Sequence, residues 1–385
     1  MSDVAKFDPW LTTDDFAALV IRENLVPVEG PDGVLFPATY AAAEDKKVFP
    51  GGYNIDPPEG EKNVCLVDSV GSQANRIEPI FAKPDYAKLV PQVTVKAGEK
   101  SVGLLEAGHR AGDALVRCTA LHKDLQDAFK AVLRGNAEPM AKIAPTSLVF
   151  GVWDSRDTQA KLPRLVASTI RAFDVKRLTR SAQFNPATEY INDKLLEEPT
   201  DKATKDAYAE RGFVHVPATG SHGGVIANGG VRREAILSLA ALRLLSAGTD
   251  KDKTLALRRY VLGLSLVAFT ATASTYLRQG CNLVPDIDKP REFTLIHSDG
   301  SRETMKLTHA DALKFALAAA QAFGVGEDRE VKFEPERAKK DIAGEGDTKA
   351  AVKAAAKKAA AEAKKAALKA AAESISVSPP PAGDQ

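Results

Sequence analysis

The amino-acid sequence predicts an α+β fold, and three observations lead to this prediction. Helical and strand-like segments alternate without the regular rhythm of a doubly wound sheet. Long polar insertions separate these segments. Hydrophobic residues make up 44% and charged residues 27% of the 385 positions, which is typical of a globular protein. At this length we expect one large elaborated body over residues 1–334, with a polar insertion at about 185–220, and an appendage over 335–385.

The first part of the chain is predicted to contain short strands followed by two helices. Residues 1–62 are rich in Pro, Gly and Asp, so we expect short strands joined by long loops. Apolar positions at helical spacing predict a helix over 64–78, which Pro79 would end. A longer apolar stripe predicts a second helix over 110–134, which would stop at Gly135.

The middle of the chain combines β-rich runs with a glycine-rich loop. Val, Ile, Thr and Phe are dense at 146–153 and at 164–175, which predicts two strands. The glycine-rich loop SHGGVIANGG covers 221–230, and we expect it to open into a helix over 231–248.

The C-terminal part is predicted to contain two helices separated by strands. The first helix covers about 254–269. The second covers 309–323, where Thr308 and Asp311 resemble a capping box and Gly324 would close the helix. The intervening strands are predicted at 281–285, 291–300 and 302–308, with a hairpin turn at Ser298-Asp299-Gly300.

An uncharged stretch at 260–277 has to be weighed as a membrane span. Five Ser and Thr residues dilute it, and its length is at the short limit for crossing a bilayer. We therefore expect a buried core helix that runs into a strand. The N-terminus is acidic and polar, unlike a signal peptide, and the three cysteines lie far apart without a CxxC motif. We expect a cytoplasmic protein with no disulfide, metal or cofactor.

The charge distribution bounds the kind of partner. The net charge is +1, from 52 basic and 51 acidic residues, which excludes a uniformly basic nucleic-acid coat. A local basic groove depends on the arrangement of charges and not on their total. From Lys349 onwards the chain has seven lysines and three acidic residues, and residues 1–348 have a net charge of −3. The Ala/Lys run at 349–373 predicts a solvated tail that is helical or disordered.

The densest basic cluster lies at 161–180, which holds six basic residues and one acidic residue. If 164–175 is a strand, Arg171 and Phe173 project from the same face. A guanidinium beside an exposed aromatic ring suits a phosphate and a stacked base. The alternative is that Phe173 belongs to the core and the arginines form a solvated edge.

The glycine-rich loop is a second candidate for anion binding. Freed backbone amides, a helix N-terminus, Arg232 and Arg233 would together favour an anion. No P-loop motif follows the loop, and simple loop flexibility is the alternative.

The helix predicted at 64–78 carries Asp68, Ser72 and Arg76 at a spacing of four residues. Such a pattern is either a solvated face or a surface packed on a polar ligand.

Catalytic patterns are weak. The six histidines lack the spacing of a metal site, and no GxSxG motif is present. Asp154 and Ser155 together with His222 could suggest a hydrolase, but Ser-Arg-Asp is common in turns. We do not expect an enzyme.

Several long blocks resemble a known family. They are CLVDSVGSQANRIE (65–78), GHRAGDALVR (108–117), TSLVFGVWDSRDTQAKLPRLVASTIRAFDVKRLTRSAQF (146–184), GGVRRE (229–234), LRRYVLGLSLVA (257–268) and LRQGCNLV (277–284). Together they resemble the RAMP-superfamily backbone subunit, the Csb-one or Cas-seven family, of type I-G (formerly I-U) CRISPR effector complexes. The resemblance covers about residues 15–285 and leaves out the Ala/Lys tail.

The resemblance implies a modified RRM-like (ferredoxin-like) core with large insertions. It implies that copies of the chain assemble along a guide RNA (crRNA) and present it for pairing with target DNA. The implied partners are the large subunit, the guide-processing or capping subunit and a recruited helicase-nuclease, with no membrane. A metal-dependent ribonuclease that processes the guide, acting through Asp154 or His109, is the alternative function. A scaffold without RNA contact is a weaker one.

The predicted RNA-binding set joins the basic clusters to the polar positions of the resembling blocks. It comprises Ser72, Gln73, Asn75, Arg76, His109, Arg110, Arg156, Lys161, Arg164, Arg171, Phe173, Lys176, Arg177, Arg180, Gln183, Arg232, Arg233 and Arg278.

Overall fold

A computed structural model describes residues 3–57, 62–272 and 274–343. The helices among these residues are α1 Asp8–Thr12, α2 Val70–Ile77, α3 Ala114–Arg117, α4 His122–Leu133, α5 Glu138–Ile143, α6 Thr146–Phe150, α7 Lys202–Glu210, α8 Leu239–Arg243, α9 Lys251–Thr270, α10 His309–Phe323 and α11 Pro335–Ala343. The strands are β1 Phe16–Pro27, β2 Thr39–Tyr40, β3 Gly52–Tyr53, β4 Ile55–Asp56, β5 Val64–Asp68, β6 Val93–Ala97, β7 Lys100–Gly103, β8 Val152–Trp153, β9 Lys161–Leu162, β10 Val166–Phe173, β11 Val175–Phe184, β12 Val216–Ala227, β13 Val231–Ser238, β14 Tyr276–Arg278, β15 Cys281–Pro285, β16 Glu292–His297, β17 Arg302–Thr304 and β18 Arg329–Lys332.

Four antiparallel strands form the centre of the main sheet, in the order β16-β1-β13-β10. Along the chain, a helical region follows β1, the pair β10 and β13 comes next, and α9 precedes β16. This is the β-α-β-β-α-β arrangement of a ferredoxin-like core. The α+β prediction is confirmed, and the sheet is consistent with an RRM-like core that carries insertions.

Side chains alternate across this sheet because successive strand residues point to opposite faces. On β1 the buried side includes Leu19 and Ile21, whereas Arg22 is exposed on the other side. The buried side packs against α9, which is buried over most of its length. Gly263 on α9 lets α10 approach closely, since an added Cβ would lie 2.8 Å from Ala316 Cα. The predicted core helix is confirmed, and no described helix is long and apolar enough to cross a membrane.

The predicted polar insertion belongs to a longer excursion between β10 and β13. Beyond Asp174, which has a φ of 49°, the pair continues as the antiparallel strands β11 and β12. We call β11 and β12 the arm, and residues 185–215, which join their far ends and include α7, the arm tip. Because the arm extends a hairpin, it leaves the register of β10 and β13 unchanged.

Three predicted helices are partly wrong, and two of them lie in the first half of the chain. Residues 64–68 form β5, because Cys65 and Val67 alternate into the core at the strand period of two. The helix predicted at 110–134 is interrupted between α3 and α4. There the Thr119 hydroxyl donates to the Val116 carbonyl and accepts the Leu121 N–H, which closes a turn.

The strand predicted at 146–153 is mostly the helix α6, whose five residues are all buried. Complete burial accounts for its apolar composition, and periodicity cannot separate a buried helix from a buried strand. The helix predicted at 231–248 is also wrong over its first part, because β13 alternates between buried and half-exposed residues. The predicted glycine-rich loop is also wrong over most of its length, because residues 221–227 belong to β12 and only 228–230 form the turn into β13. The predicted anion site at a helix N-terminus is therefore absent there.

Other predictions are confirmed, including the strand at 164–175, the hairpin of β16 and β17 and the cap of α10 by Thr308. Residues 1–62 contain the expected short strands, β2, β3 and β4, but the long strand β1 that precedes them was not predicted. At the other end, Asp341 on α11 lies 3.2 Å from Arg117 on α3. The predicted Ala/Lys tail lies outside the described residues.

Candidate nucleic-acid interface

A surface pocket with a volume of about 670 Å³, which we call the cleft, lies where three loops meet. The loops cover residues 108–112, 151–156 and 161–164. Five of its lining residues are basic or can become so: His109, Arg110, Arg156, Lys161 and Arg164. No Asp or Glu is among the described residues that line it. The cleft is therefore a region of positive potential, which attracts polyanions.

Trp153 provides an aromatic surface in the cleft. Its side chain is 59% exposed, although tryptophan is usually well buried. Trp153 pairs with Lys161 across the short hairpin of β8 and β9, and the Lys161 ammonium lies 5.9 Å from the centroid of the ring. An exposed ring beside a cation can stack on a base or a ribose while the cation contacts a phosphate.

Gly151 allows the loops of the cleft to approach each other. Its φ is 74°, and an added Cβ would lie 2.7 Å from Arg164 Cγ and 3.0 Å from the Leu162 carbonyl oxygen. A larger residue would displace the segment that carries Arg164, so glycine at this position sets the width of the cleft.

Arg110 forms the floor of the cleft and is only 4% exposed. Its Nε lies 2.7 Å from Oε2 of Glu78. Its other nitrogens donate to the Gly151 carbonyl at 3.3 Å and to the Asn75 side-chain oxygen at 3.2 Å. Burial raises the pKa of the Glu78 carboxyl to about 7, and the Arg110 guanidinium opposes that shift. Arg110 therefore holds the floor together and positions Asn75.

The arm carries a second group of the predicted residues. Lys176, Arg177, Arg180 and Gln183 are exposed on β11, which has three basic residues and no acidic one. The arm tip has seven acidic and four basic residues, a net charge of −3. The arm thus has a basic shaft and an acidic tip.

The open face of the main sheet carries a third group. Arg171, Phe173 and Arg232 share this face, and the Arg232 guanidinium lies 4.5 Å from the centroid of the Phe173 ring. Arg232 and Arg171 lie 3.1 and 3.6 Å from the Glu234 carboxylate, and Arg22 lies 3.7 Å from it. Three guanidiniums around one carboxylate leave an excess of positive charge on the face.

Four predicted residues converge on the buried carboxylate of Asp68. Its oxygens accept hydrogen bonds from Ser72 at 2.8 Å, Gln73 at 2.7 Å, Arg76 at 3.2 Å and Arg278 at 2.7 Å. Asp68 is the last residue of β5 and is fully buried, so the interpretation of 64–78 as a solvated helical face is wrong. These contacts join α2 to β14.

Arg233 lies inside the protein, with 1% of its surface exposed. It donates to Glu23 at 3.0 Å and to the Ser168 hydroxyl at 3.3 Å. Because Arg233, Arg110 and Gln73 are buried and have protein partners, we do not assign them a direct contact with RNA in the cleft.

The two residues of the alternative ribonuclease hypothesis, Asp154 and His109, lie in different surroundings. Asp154 is buried and accepts hydrogen bonds of 2.7 Å from the backbone and hydroxyl of Thr158, which closes a turn. His109 is exposed at the rim of the cleft, 3.6 Å from Asp113. Within the described ranges, no three His, Cys, Asp or Glu residues are grouped so as to hold a metal ion.

Sequence reasoning missed Trp153 and Arg22. Trp153 lies shortly before the basic residues that begin at Arg156, and an aromatic residue between Gly151 and Asp154 was the available signal. Arg22 had no such signal, because its role follows from the register of β1 with β13.

The fold and the cleft define an α+β protein with an RRM-like core and a cationic groove that contains an exposed aromatic ring. Residues 19–177 match the model of a family described as CRISPR-associated protein GSU0053. The matched range runs from β1 to the start of the arm and includes all three loops of the cleft. Over these residues the chain is similar to a CRISPR-associated family. No curated protein matched the chain.

Proposed function

We propose that this chain is a guide-RNA-binding backbone subunit of a type I-G CRISPR effector complex. The cleft holds the ribose-phosphate strand, and successive copies of the chain extend along it. The bases stay free to pair with target DNA. The large subunit, the capping subunit and a recruited helicase-nuclease complete the assembly in the cytoplasm.

The observation that carries the proposal is the composition of the cleft. Arg156, Lys161 and Arg164 surround Trp153, and the described lining contains no carboxylate. Cations supply affinity for any sequence, because phosphates are the same at every nucleotide. Base stacking on an aromatic ring is also tolerant of sequence. A guide holder requires both properties, since its RNA differs from one guide to the next.

The basic shaft of the arm supports a longer RNA path. Lys176 and Arg177 are exposed on β11, although Val175, Val225 and Ala227 anchor the base of the arm in a hydrophobic cluster. The acidic tip would repel phosphates, so RNA contact is confined to the shaft. The similarity of 19–177 to a CRISPR-associated family agrees with this function.

The test is RNA binding by a triple charge reversal in the cleft, Arg156→Glu, Lys161→Glu and Arg164→Glu. Arg171 and Arg232 are not targeted, because both pair with Glu234. We expect affinity for single-stranded RNA to fall by at least about a hundredfold, and the slope of log affinity against log salt to fall by about 2, since each phosphate contact contributes ~0.7.

The control reverses the same number of charges on exposed positions of α4 and the turn after it: Lys123→Glu, Lys130→Glu and Arg134→Glu. It should keep wild-type affinity. Equal loss in the two triple variants would mean a diffuse charge effect and would remove the cleft from the proposal. Cleavage of the RNA by the isolated protein, abolished by His109→Ala, would favour the ribonuclease instead.

A further inference from the structure

A second pocket, of about 300 Å³, lies on the other side of α2 from the cleft. Helix α2 contributes Asn75 to the floor of the cleft through Arg110, and it contributes Gln73, Arg76 and Ile77 to this pocket. Its other polar lining residues are Lys83, the buried Arg233, Thr272 and Ser274. We call it the α2 pocket.

The charges around the α2 pocket do not balance. Arg76 and Arg278 share the single carboxylate of Asp68, and Arg233 is paired with Glu23. Lys83 is exposed and forms no ion pair with any described residue. Four cations against two carboxylates leave a net charge of +2, and no Asp or Glu lines the pocket among the residues that the structure describes.

Several donors at the pocket remain available. Arg233 uses three of its five N–H groups, toward Glu23, Ser168 and the Phe269 carbonyl. Arg76 donates through Nε to Asp68 and through Nη2 to the Leu277 carbonyl, which leaves Nη1. Arg233 is compensated by Glu23, whereas Arg76 shares Asp68 with Arg278 and Lys83 pairs with no described carboxylate. An anion at the mouth of the pocket would therefore gain charge-assisted hydrogen bonds from Arg76 and Lys83.

The opposite wall is aliphatic and is formed by Ile77, Pro79, Ile80 and Ala271. The volume lies at the lower end of the ~300–1,000 Å³ that small-molecule pockets occupy, and it exceeds what one inorganic anion needs. A ligand with an anionic group and a flat or apolar body fits both walls.

We propose that the α2 pocket binds the phosphate group of a nucleotide, with its sugar or base against the aliphatic wall. The nucleotide is either free or part of a bound strand, and the phosphate chemistry is the same in both cases. Arg76 and Lys83 contact the phosphate at the mouth, and Arg233 supplies positive potential from the floor.

The test compares binding of UMP and uridine to the full chain by calorimetry. We expect UMP to bind at least about tenfold more tightly than uridine, because charge-assisted hydrogen bonds to the phosphate are lost without it. Lys83→Glu should weaken UMP binding by about tenfold or more, and Lys83→Arg should restore it. Lys88→Glu is the matched control, because Lys88 is exposed five residues further on and lies outside the pocket. It should change UMP affinity by no more than about twofold.

Equal binding of UMP and uridine, or equal effects of Lys83→Glu and Lys88→Glu, would overturn the proposal. Competition between UMP and RNA would assign the phosphate to a bound strand, and simultaneous binding would assign it to a free nucleotide. Both results support the pocket. The inference fails separately from the proposed function, because the triple cleft variant should lose RNA and keep UMP.

Discussion

Arg110 and Glu78 form an ion pair of 2.7 Å beneath the cleft, with both side chains almost fully buried. Arg110 has a φ of 51°, a backbone conformation that a residue with a Cβ seldom adopts. The contacts of its guanidinium with Glu78, Gly151 and Asn75 hold that conformation. The pair thus ties three separate segments into one floor.

Removing Arg110 should destabilise the protein more than removing the whole pair. Arg110→Met leaves the buried Glu78 carboxyl without its partner, so that it must take up a proton or stay charged and unpaired, and the loss of one partner costs about 3–5 kcal/mol in comparable buried pairs. The double variant Arg110→Met with Glu78→Leu should recover most of the loss in free energy of unfolding. Urea denaturation measures both. Equal stability of the single and double variants would show that the ion pair does not couple the two residues.

The stability of the protein should decrease as the pH rises through the titration of Glu78. Burial raises its pKa from 4.5 to about 7, so the folded state binds a proton more tightly than the unfolded state. The contribution of this group is therefore most favourable below pH 4.5, and it is lost as the pH rises to about 7.

The free energy of unfolding of wild type and of Glu78→Gln, measured across this range, isolates the effect. The difference between them should change with pH, because Gln does not titrate. The exposed Glu29→Gln is the control and should run parallel to wild type. A constant difference between wild type and Glu78→Gln would contradict the raised pKa.

Trp153 should contribute to RNA affinity and little to stability. Trp153→Ala should weaken RNA binding by about 1–3 kcal/mol, the usual value of one stacked base, and Trp153→Phe should weaken it less. The melting temperature should change little, since the side chain is mostly exposed. Tyr276→Ala removes an equally exposed aromatic ring outside the cleft and should leave affinity unchanged.

Fluorescence offers a direct check, because the chain has two tryptophans and Trp10 is buried. In a Trp10→Phe background, RNA should quench the emission of Trp153. A titration that saturates by an independent assay without any change in emission would place the RNA elsewhere.

The arm tip should be dispensable for folding. Phe184 and Val216 are paired across β11 and β12, so a two-residue Asn-Gly turn can replace 185–215 and close the hairpin. None of the removed residues belongs to a described hydrophobic cluster, and the melting temperature should therefore stay close to that of wild type.

RNA affinity should be retained or increased in the shortened protein, because the basic shaft remains and the removed segment has a net charge of −3. The measurement is RNA binding at several salt concentrations. A large loss of affinity would mean that the tip itself contacts RNA.

Sequence reasoning located strands and charges better than it located partners. The strand period placed Arg171 and Phe173 on one face correctly. The sequence pattern wrongly placed Arg232 and Arg233 on a helix. A run rich in Arg, Ala and Leu fits both the helical period of 3.6 residues and the strand period of two until the strand register is known. The ion pair of Arg110 with Glu78 left no pattern in the sequence, since the two residues are 32 positions apart and meet through tertiary packing.

The base of the arm is held by the packing of Val175, Val225 and Ala227 and by hydrogen bonds from outside the arm. The Tyr53 hydroxyl accepts the Gly224 N–H, and Leu35 forms a bridge with Val225. Thr179 pairs with His222. From Thr179 to Phe184, β11 runs for six residues, a length of about 20 Å at ~3.3 Å per residue. Because of this length, a rotation of roughly 10° about the base of the arm would move its far end by about 3 Å, the length of one hydrogen bond.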